Sequence, residues 1–237
     1  ADPRVSLLLS ADGERYHLTG RATVRDADLE ANAAVVERLI REEPPTPKRE
    51  AMRAAADFLN TRVGLLALDW YGLRILIEIE PTSLDRLPRA GPATVPPWPA
   101  AGVEAAEAAI YDRAVATVVQ NGWPRSWPLT EPTVRDGRLR LDPPPDASPT
   151  DGQPACVLLH WHDGELSSLE QRIVRGRCRT ADGGVWFDPA SSFHLRNRTP
   201  LDRLRFVVGG KRRTRAYFAD RGEAYRYWPG LGALLGR

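Results

Sequence analysis

Arg138 and Arg140 alternate with Leu139 and Leu141, so in a strand both guanidiniums emerge on one face. Two forks aimed the same way suit a phosphate, which takes bidentate charge-assisted hydrogen bonds; a solvated strand face is the plain alternative. Arg175 and Arg177 repeat that spacing. Lys211-Arg212-Arg213 follows Gly209-Gly210, where the pattern predicts a helix start whose free backbone N–H groups favour an anion. Trp186, with Trp123, Trp127 and Trp228, offers a flat apolar surface to a planar ligand, although aromatic side chains of β proteins also fill cores. The candidate cofactor-binding set is therefore Arg138, Arg140, Arg175, Arg177, Lys211 and Trp186.

No residue is singled out as catalytic. The chain has no phosphate-binding P-loop, no GxGxxG, no HExxH, no GxSxG and no CxxC. His160 and His162 share a strand face at a spacing a metal uses, but no neighbouring His, Cys or Asp set completes a ligand shell, so no metal is expected. His17 and His194 stand alone and are expected to be satisfied surface or core residues. Cys156 and Cys178 fall on neighbouring predicted strands and read as reduced, half-buried small side chains.

The elements that position these residues occur twice. Residues 5–14 and 16–24 read as an apolar strand, an Asp-Gly turn, a second strand and a Gly-Arg pair; residues 156–165 and 172–179 read the same way. A second matched piece follows each, 73–84 against 184–195, with Pro81 aligned to Pro189. Two ordered anchors in both halves point to two related β units. Between its Gly-Arg and its proline the first copy inserts two helices, predicted over 26–43 (Leu29, Ala33, Val36 and Ile40 on one face) and over 46–60. Strands are predicted at 63–68 and 73–80, and the proline-rich 81–99 reads as a linker over the surface. A short helix over 103–113 precedes strands at 114–119, 129–135, 138–142, 155–162, 168–179 and 185–188, and a helix over 211–227 closes the chain. Repeated Asp-Gly and Asn-Gly turns between alternating runs argue for antiparallel meanders, hence a barrel or sandwich.

The expected organisation is a first, N-terminally incomplete unit with a helical insert at 1–90, a linker and short helix at 91–113, and a second unit with its C-terminal helix at 114–237. The first unit has no counterpart of residues 114–142, so its sheet edges need covering. At 237 residues, 42% hydrophobic and 27% charged, the composition is that of a soluble protein with a core. No apolar run is long enough to span a membrane. The N-terminus lacks a signal-peptide pattern, which makes the cytoplasm the expected compartment. The net charge of +2 is unevenly spread. Residues 196–226 carry ten basic and three acidic side chains, a stretch that suits either a phosphate or a solvated helix face.

The run from Asp2 through Val24, and more completely Ala116 to Ser126, Gly137 to Leu141 and Val174 to Arg177, resembles the pyridoxamine 5′-phosphate oxidase-like family, the FMN-binding split barrel. The resemblance implies a mainly β fold with added helices: two split β-barrel units packed as a pseudo-dimer, with a homodimer of chains left open. It also implies a flavin (FMN) held between barrels, a small-molecule substrate, and an FMN-dependent oxidase or reductase as the enzyme class. The family's Ser-Arg-Lys after its third strand is absent, residues 142–150 reading Asp-Pro-Pro-Pro-Asp-Ala-Ser-Pro-Thr. Two alternatives stand beside the flavoprotein: a module binding another planar ligand, haem or a deazaflavin, and a cofactor-free interaction protein on the same fold. Nucleic acid ranks last, because the basic segment carries no reading motif.

Overall fold

The structure, a computed structural model, describes residues 2–11, 14–42, 61, 75–87, 91–163 and 168–224. These residues are mainly β, with ten strands in two sheets and helices added. The first sheet has the order β1 (Arg4–Ala11), β2 (Glu14–Arg25), β3 (Leu76–Leu87). Strands β1 and β2 are antiparallel, with Val5 opposite Gly20 and Leu8 opposite His17. Helix α1 (Leu29–Glu42) follows; the Asp28 carboxylate caps it, accepting from the Ala31 N–H at 2.9 Å. The side chains of Leu29, Ala33, Val36 and Ile40, the predicted helix over 46–60 and the predicted strand over 63–68 lie outside the described residues.

The second sheet runs β5 (Trp123–Leu129), β4 (Arg113–Gln120), β8 (Pro154–His162), β9 (Leu169–Ala181), β10 (Gly184–Asn197), β7 (Arg138–Arg140), β6 (Val134–Arg135). Asn121-Gly122, Asp136-Gly137 and Asp182-Gly183 have positive φ at both residues. That is the hairpin turn whose twist matches the flanking strands. The expected strand over 129–135 is corrected: β5 starts directly after Asn121-Gly122 and contains Pro124 and Pro128. Two prolines argue against an interior strand, yet β5 lies at the sheet edge, where the missing N–H groups cost no ladder bond. Neither strand order closes on itself among the described residues, so the sheets are open where barrels were expected. One edge is the proline-bearing β5 and the other the two-residue β6.

The two copies agree in geometry at the aligned positions. A Cβ on Gly20 would meet the Glu80 carbonyl oxygen at 2.5 Å and Ile79 at 2.8 Å. A Cβ on Gly176 would meet the Asp188 carbonyl oxygen closer still and Phe187 at 2.8 Å. Glu80 and Asp188 are the residues before the aligned Pro81 and Pro189. Polar pairs match as well: Glu14 accepts from Arg86 at 2.6 Å, and at the same offsets Glu170 meets His194 at 2.7 Å. Both copies thus lay three consecutive strands side by side with glycine at the crossing of the second and third.

By contact density the chain divides into two compact units that do not follow its sequence halves. One comprises Ala1–Thr23, Ile79–Trp161 and Leu169–Leu195; the other comprises Val24–Glu78, His162–Ser168 and Arg196–Arg237. The first holds a core of Trp98, Leu139, Leu141, Val157, Leu159, Val174 and Phe187, all fully buried. Trp98 meets Phe187 edge-on at 5.7 Å and donates its indole N–H to the Gly137 carbonyl at 2.8 Å.

In its described residues, 81–87 and 91–99, the proline-rich stretch is no surface linker. Strand β3 runs through Pro81 to Leu87, and Ala93, Val95 and Trp98 enter the core. The composition announced turns; it did not announce that an apolar residue between prolines still gains by burial. The helix expected over 103–113 shrinks to one turn, α2 (Ala105–Ala108). In the second unit, α3 (Pro200–Asp220) replaces the helix expected to start at Lys211. Thr199 and Asp202 form a reciprocal capping box and Pro200 takes the first helical position, so the start lies eleven residues earlier. Asp26 accepts from the Tyr217 hydroxyl at 2.8 Å and pairs with Arg221. No helix among the described residues is long and apolar enough to cross a membrane.

Candidate functional site

Arg138 and Arg140 do share one face of β7, where Arg140 stands opposite Trp186 of β10. Each guanidinium already has a carboxylate. Arg140 Nε donates to Asp142 at 2.6 Å, and Arg138 lies 3.5 Å from Asp188, an acid it shares with Arg179 at 3.6 Å. Arg135 lies 3.8 Å from Asp182 on the same sheet edge. Half-buried Trp186 donates to the Ala181 carbonyl. Arg175 and Arg177 are exposed on β9, and Arg177 donates to the Gly152 carbonyl at 2.7 Å. Lys211 sits in the middle of α3, in the second compact unit, so its backbone N–H is committed to the helix. Gly209-Gly210 misled the expectation, because a glycine pair can sit inside a helix fixed by a strong cap upstream. The other aromatic candidates are engaged too. Trp127 is buried with its N–H on the Leu141 carbonyl, and Trp123 carries two arginine guanidiniums against its ring. Trp228 lies outside the described residues.

Two buried polar networks were not foreseen. In the first, His17 on β2 is fully buried. Its Nδ1 lies 2.8 Å from Arg125 on β5, and its Nε2 lies 2.8 Å from the Ser6 hydroxyl on β1. A guanidinium only donates, so Nδ1 accepts and the ring proton sits on Nε2, donating to Ser6. Ser6 donates onward to Ser126 at 3.0 Å, and Ser126 meets Thr117 at 2.9 Å. Burial, then the Arg125 charge, lowers the His17 pKa, outweighing Asp85 and Asp146, so the ring is neutral. Asp85, 4.0 Å from Nδ1, is a bystander to a neutral ring. Ser6 beside His17 resembles a nucleophile and its base, but the tautomer is the opposite of what proton abstraction needs.

The second network centres on Arg172 of β9, 8% exposed. It forks onto Glu107 of α2 at 2.6 and 2.8 Å and donates to Ser192 at 3.2 Å and to His194 Nδ1 at 3.1 Å. His194 again accepts at Nδ1 and gives its Nε2 proton to Glu170, 1% exposed, at 2.7 Å. Tyr111 donates to Glu107 at 2.5 Å. Burial pushes the Glu107 carboxyl up, but the Arg172 and Tyr111 hydrogen bonds outweigh it and leave its pKa lowered. Burial first, then Glu107, raises the Tyr111 phenol above its ordinary value. Both imidazoles are thus fixed by an arginine on one nitrogen and a hydrogen-bond acceptor on the other. Counted from the Gly20/Gly176 and Pro81/Pro189 anchors, Glu170 and His194 stand where Glu14 and Arg86 stand in the first copy.

The cysteines remain free, with burial raising both thiol pKa values, Cys178 to about 11, which favours inert thiols over reactive thiolates. No group of metal-ligating side chains occurs among the described residues. Compared with known proteins, the chain matches no family model, no curated protein and no solved structure.

Proposed function

We propose that the chain is a binding protein made of two related units of the FMN-binding split-barrel type, residues 1–90 and 114–237, paired within one chain. It works by holding a ligand or partner without acid–base chemistry of its own. One observation carries this reading. His17 and His194 each have both ring nitrogens engaged, in the tautomer that donates from Nε2 and takes an arginine N–H at Nδ1. A base must offer a lone pair to the substrate, and neither ring has one left.

The β7 face does not suit a flavin phosphate as it stands. A phosphate dianion there would lie beside Asp142 and Asp188, which already neutralise Arg140 and Arg138. The FMN-dependent oxidoreductase is the alternative, favoured by the family resemblance and by Trp186 opposite Arg140. The absorbance spectrum of the purified chain, followed by titration with FMN, separates the two. A colourless chain that leaves FMN fluorescence unquenched supports the cofactor-free module. Flavin bands, or quenching lost on Arg138→Gln with Arg140→Gln, overturn it.

A further inference from the structure

We propose that Arg4 and Arg21, stacked over Trp123 beside Gly122, form a binding corner for a phosphate group, with the Asp2 carboxylate occupying it until the ligand arrives. The two arginines stand directly opposite each other on β1 and β2. Like charges in that position repel, so something must compensate them. Part of the compensation is aromatic: the Arg21 guanidinium lies 5.7 Å and the Arg4 guanidinium 6.0 Å from the Trp123 ring centroid. The other part is Asp2, which accepts from Arg4 Nε at 2.8 Å and from the Arg4 backbone N–H at 3.0 Å. Those hydrogen bonds, with the Arg21 charge added, hold the Asp2 carboxyl well below the usual carboxylate range.

Asp2 is thus an anion already sitting where two guanidiniums converge. A single carboxylate against two arginines leaves one positive charge over. Among the described residues Arg21 has no carboxylate partner and keeps its N–H fork for an incoming oxyanion. The corner is shaped by the turn as well. Gly122 has a φ of +79°, and a Cβ there would overlap the Arg4 guanidinium, so the glycine leaves the space in which that group rests. A phosphate dianion matches the charge of two guanidiniums, which a monoanionic carboxylate does not. The Trp123 ring already carries both guanidiniums, so a stacked nucleobase is not the expected occupant.

Isothermal titration of the full chain with inorganic phosphate, with a phosphate monoester and with acetate tests the corner. Asp2→Asn removes the internal competitor and is expected to tighten phosphate binding about tenfold. Arg21→Gln is expected to weaken it about tenfold while leaving the melting temperature unchanged. Binding of the monoester as well as phosphate assigns the corner to a phosphorylated ligand, and binding of inorganic phosphate alone assigns it to the free anion. Binding seen only in Asp2→Asn also supports the proposal, since it shows Asp2 in competition. No phosphate binding by either wild type or Asp2→Asn overturns it, as does acetate binding as tightly as phosphate, or a phosphate affinity that Arg21→Gln leaves unmoved.

Discussion

Gly176→Ala is the smallest change that tests how the repeated strands cross. The new methyl carbon would fall inside contact distance of the Asp188 carbonyl oxygen, and Phe187 would stand 2.8 Å away. The nearest obstacle is backbone on a neighbouring strand, so no side-chain rotation relieves it; β9 and β10 must part. Phe187 is fully buried against Trp98, so parting the strands also loosens that core. Overpacking of this kind costs roughly 3 kcal/mol, the upper end of what an inserted methyl does in a packed interior. At about 2–4 °C per kcal/mol for a chain of this length, the melting temperature falls by about 6–12 °C. Gly20→Ala meets Glu80 at 2.5 Å in a largely exposed strand and costs less, about 2 kcal/mol. Gly91→Ala, with nothing within 4 Å, serves as the neutral control. Urea unfolding followed by near-ultraviolet circular dichroism reports on buried Trp98 and Trp127. Equal midpoints for Gly176→Ala and Gly91→Ala refute the close crossing.

Stability also depends on pH through His17. Folding lowers its pKa, so its contribution is complete above the unfolded value of about 6.5 and is lost as pH falls from there toward the depressed folded value. His17→Asn is expected to cost about 2 kcal/mol at pH 8, with the gap to wild type closing toward pH 5; a gap that widens in acid contradicts the neutral ring. Glu107→Gln leaves Arg172 buried without its counter-charge and is expected to cost about 3 kcal/mol in urea unfolding. Adding Arg172→Met should recover part of that loss, and an additive double variant would show that the two side chains do not couple.

Much of the fold was legible because its signals are local. Asn121-Gly122, Asp136-Gly137 and Asp182-Gly183, flanked by alternating residues, became hairpin turns with two positive φ angles, and the repeat placed Gly20 and Gly176 at their crossings. The failures came where local and tertiary preferences differ. Pro124 and Pro128 hid β5 because a proline is tolerated only at an edge, and edge position is a property of the whole sheet. Thr199-Pro200-Leu201-Asp202 announces a helix start as a capping box, yet Gly209-Gly210, which lies inside the helix, is the more conspicuous local punctuation. The site suffered for a related reason. Spacing showed that Arg138 and Arg140 share a face, but their neutralising partners, Asp188 and Asp142, are chosen by strand pairing and turn geometry. His17 looked like a lone histidine because Ser6 and Arg125 reach it from two other strands.

The repeated acid–base pair shows how one position acquires different physics in the two copies. Glu14 and Arg86 meet at 2.5 Å, but the Arg86 side chain is 69% exposed. Such a pair contributes at most about 1 kcal/mol and is screened by salt. At the equivalent place Glu170 is 1% exposed and meets His194, whose other ring nitrogen faces Arg172. Burying a carboxylate there demands compensation, and Arg172 and Glu107 extend the pair into a network rooted in α2. That network fixes the helix turn at Ala105–Ala108 against β9 and β10, an anchorage for which the first copy has no counterpart among the described residues. One pair is thus built into a rigid buried network and the other left as accessible charge. The accessible side, with Arg4, Arg21 and their exposed carboxylate, is where a ligand meets the smaller desolvation cost.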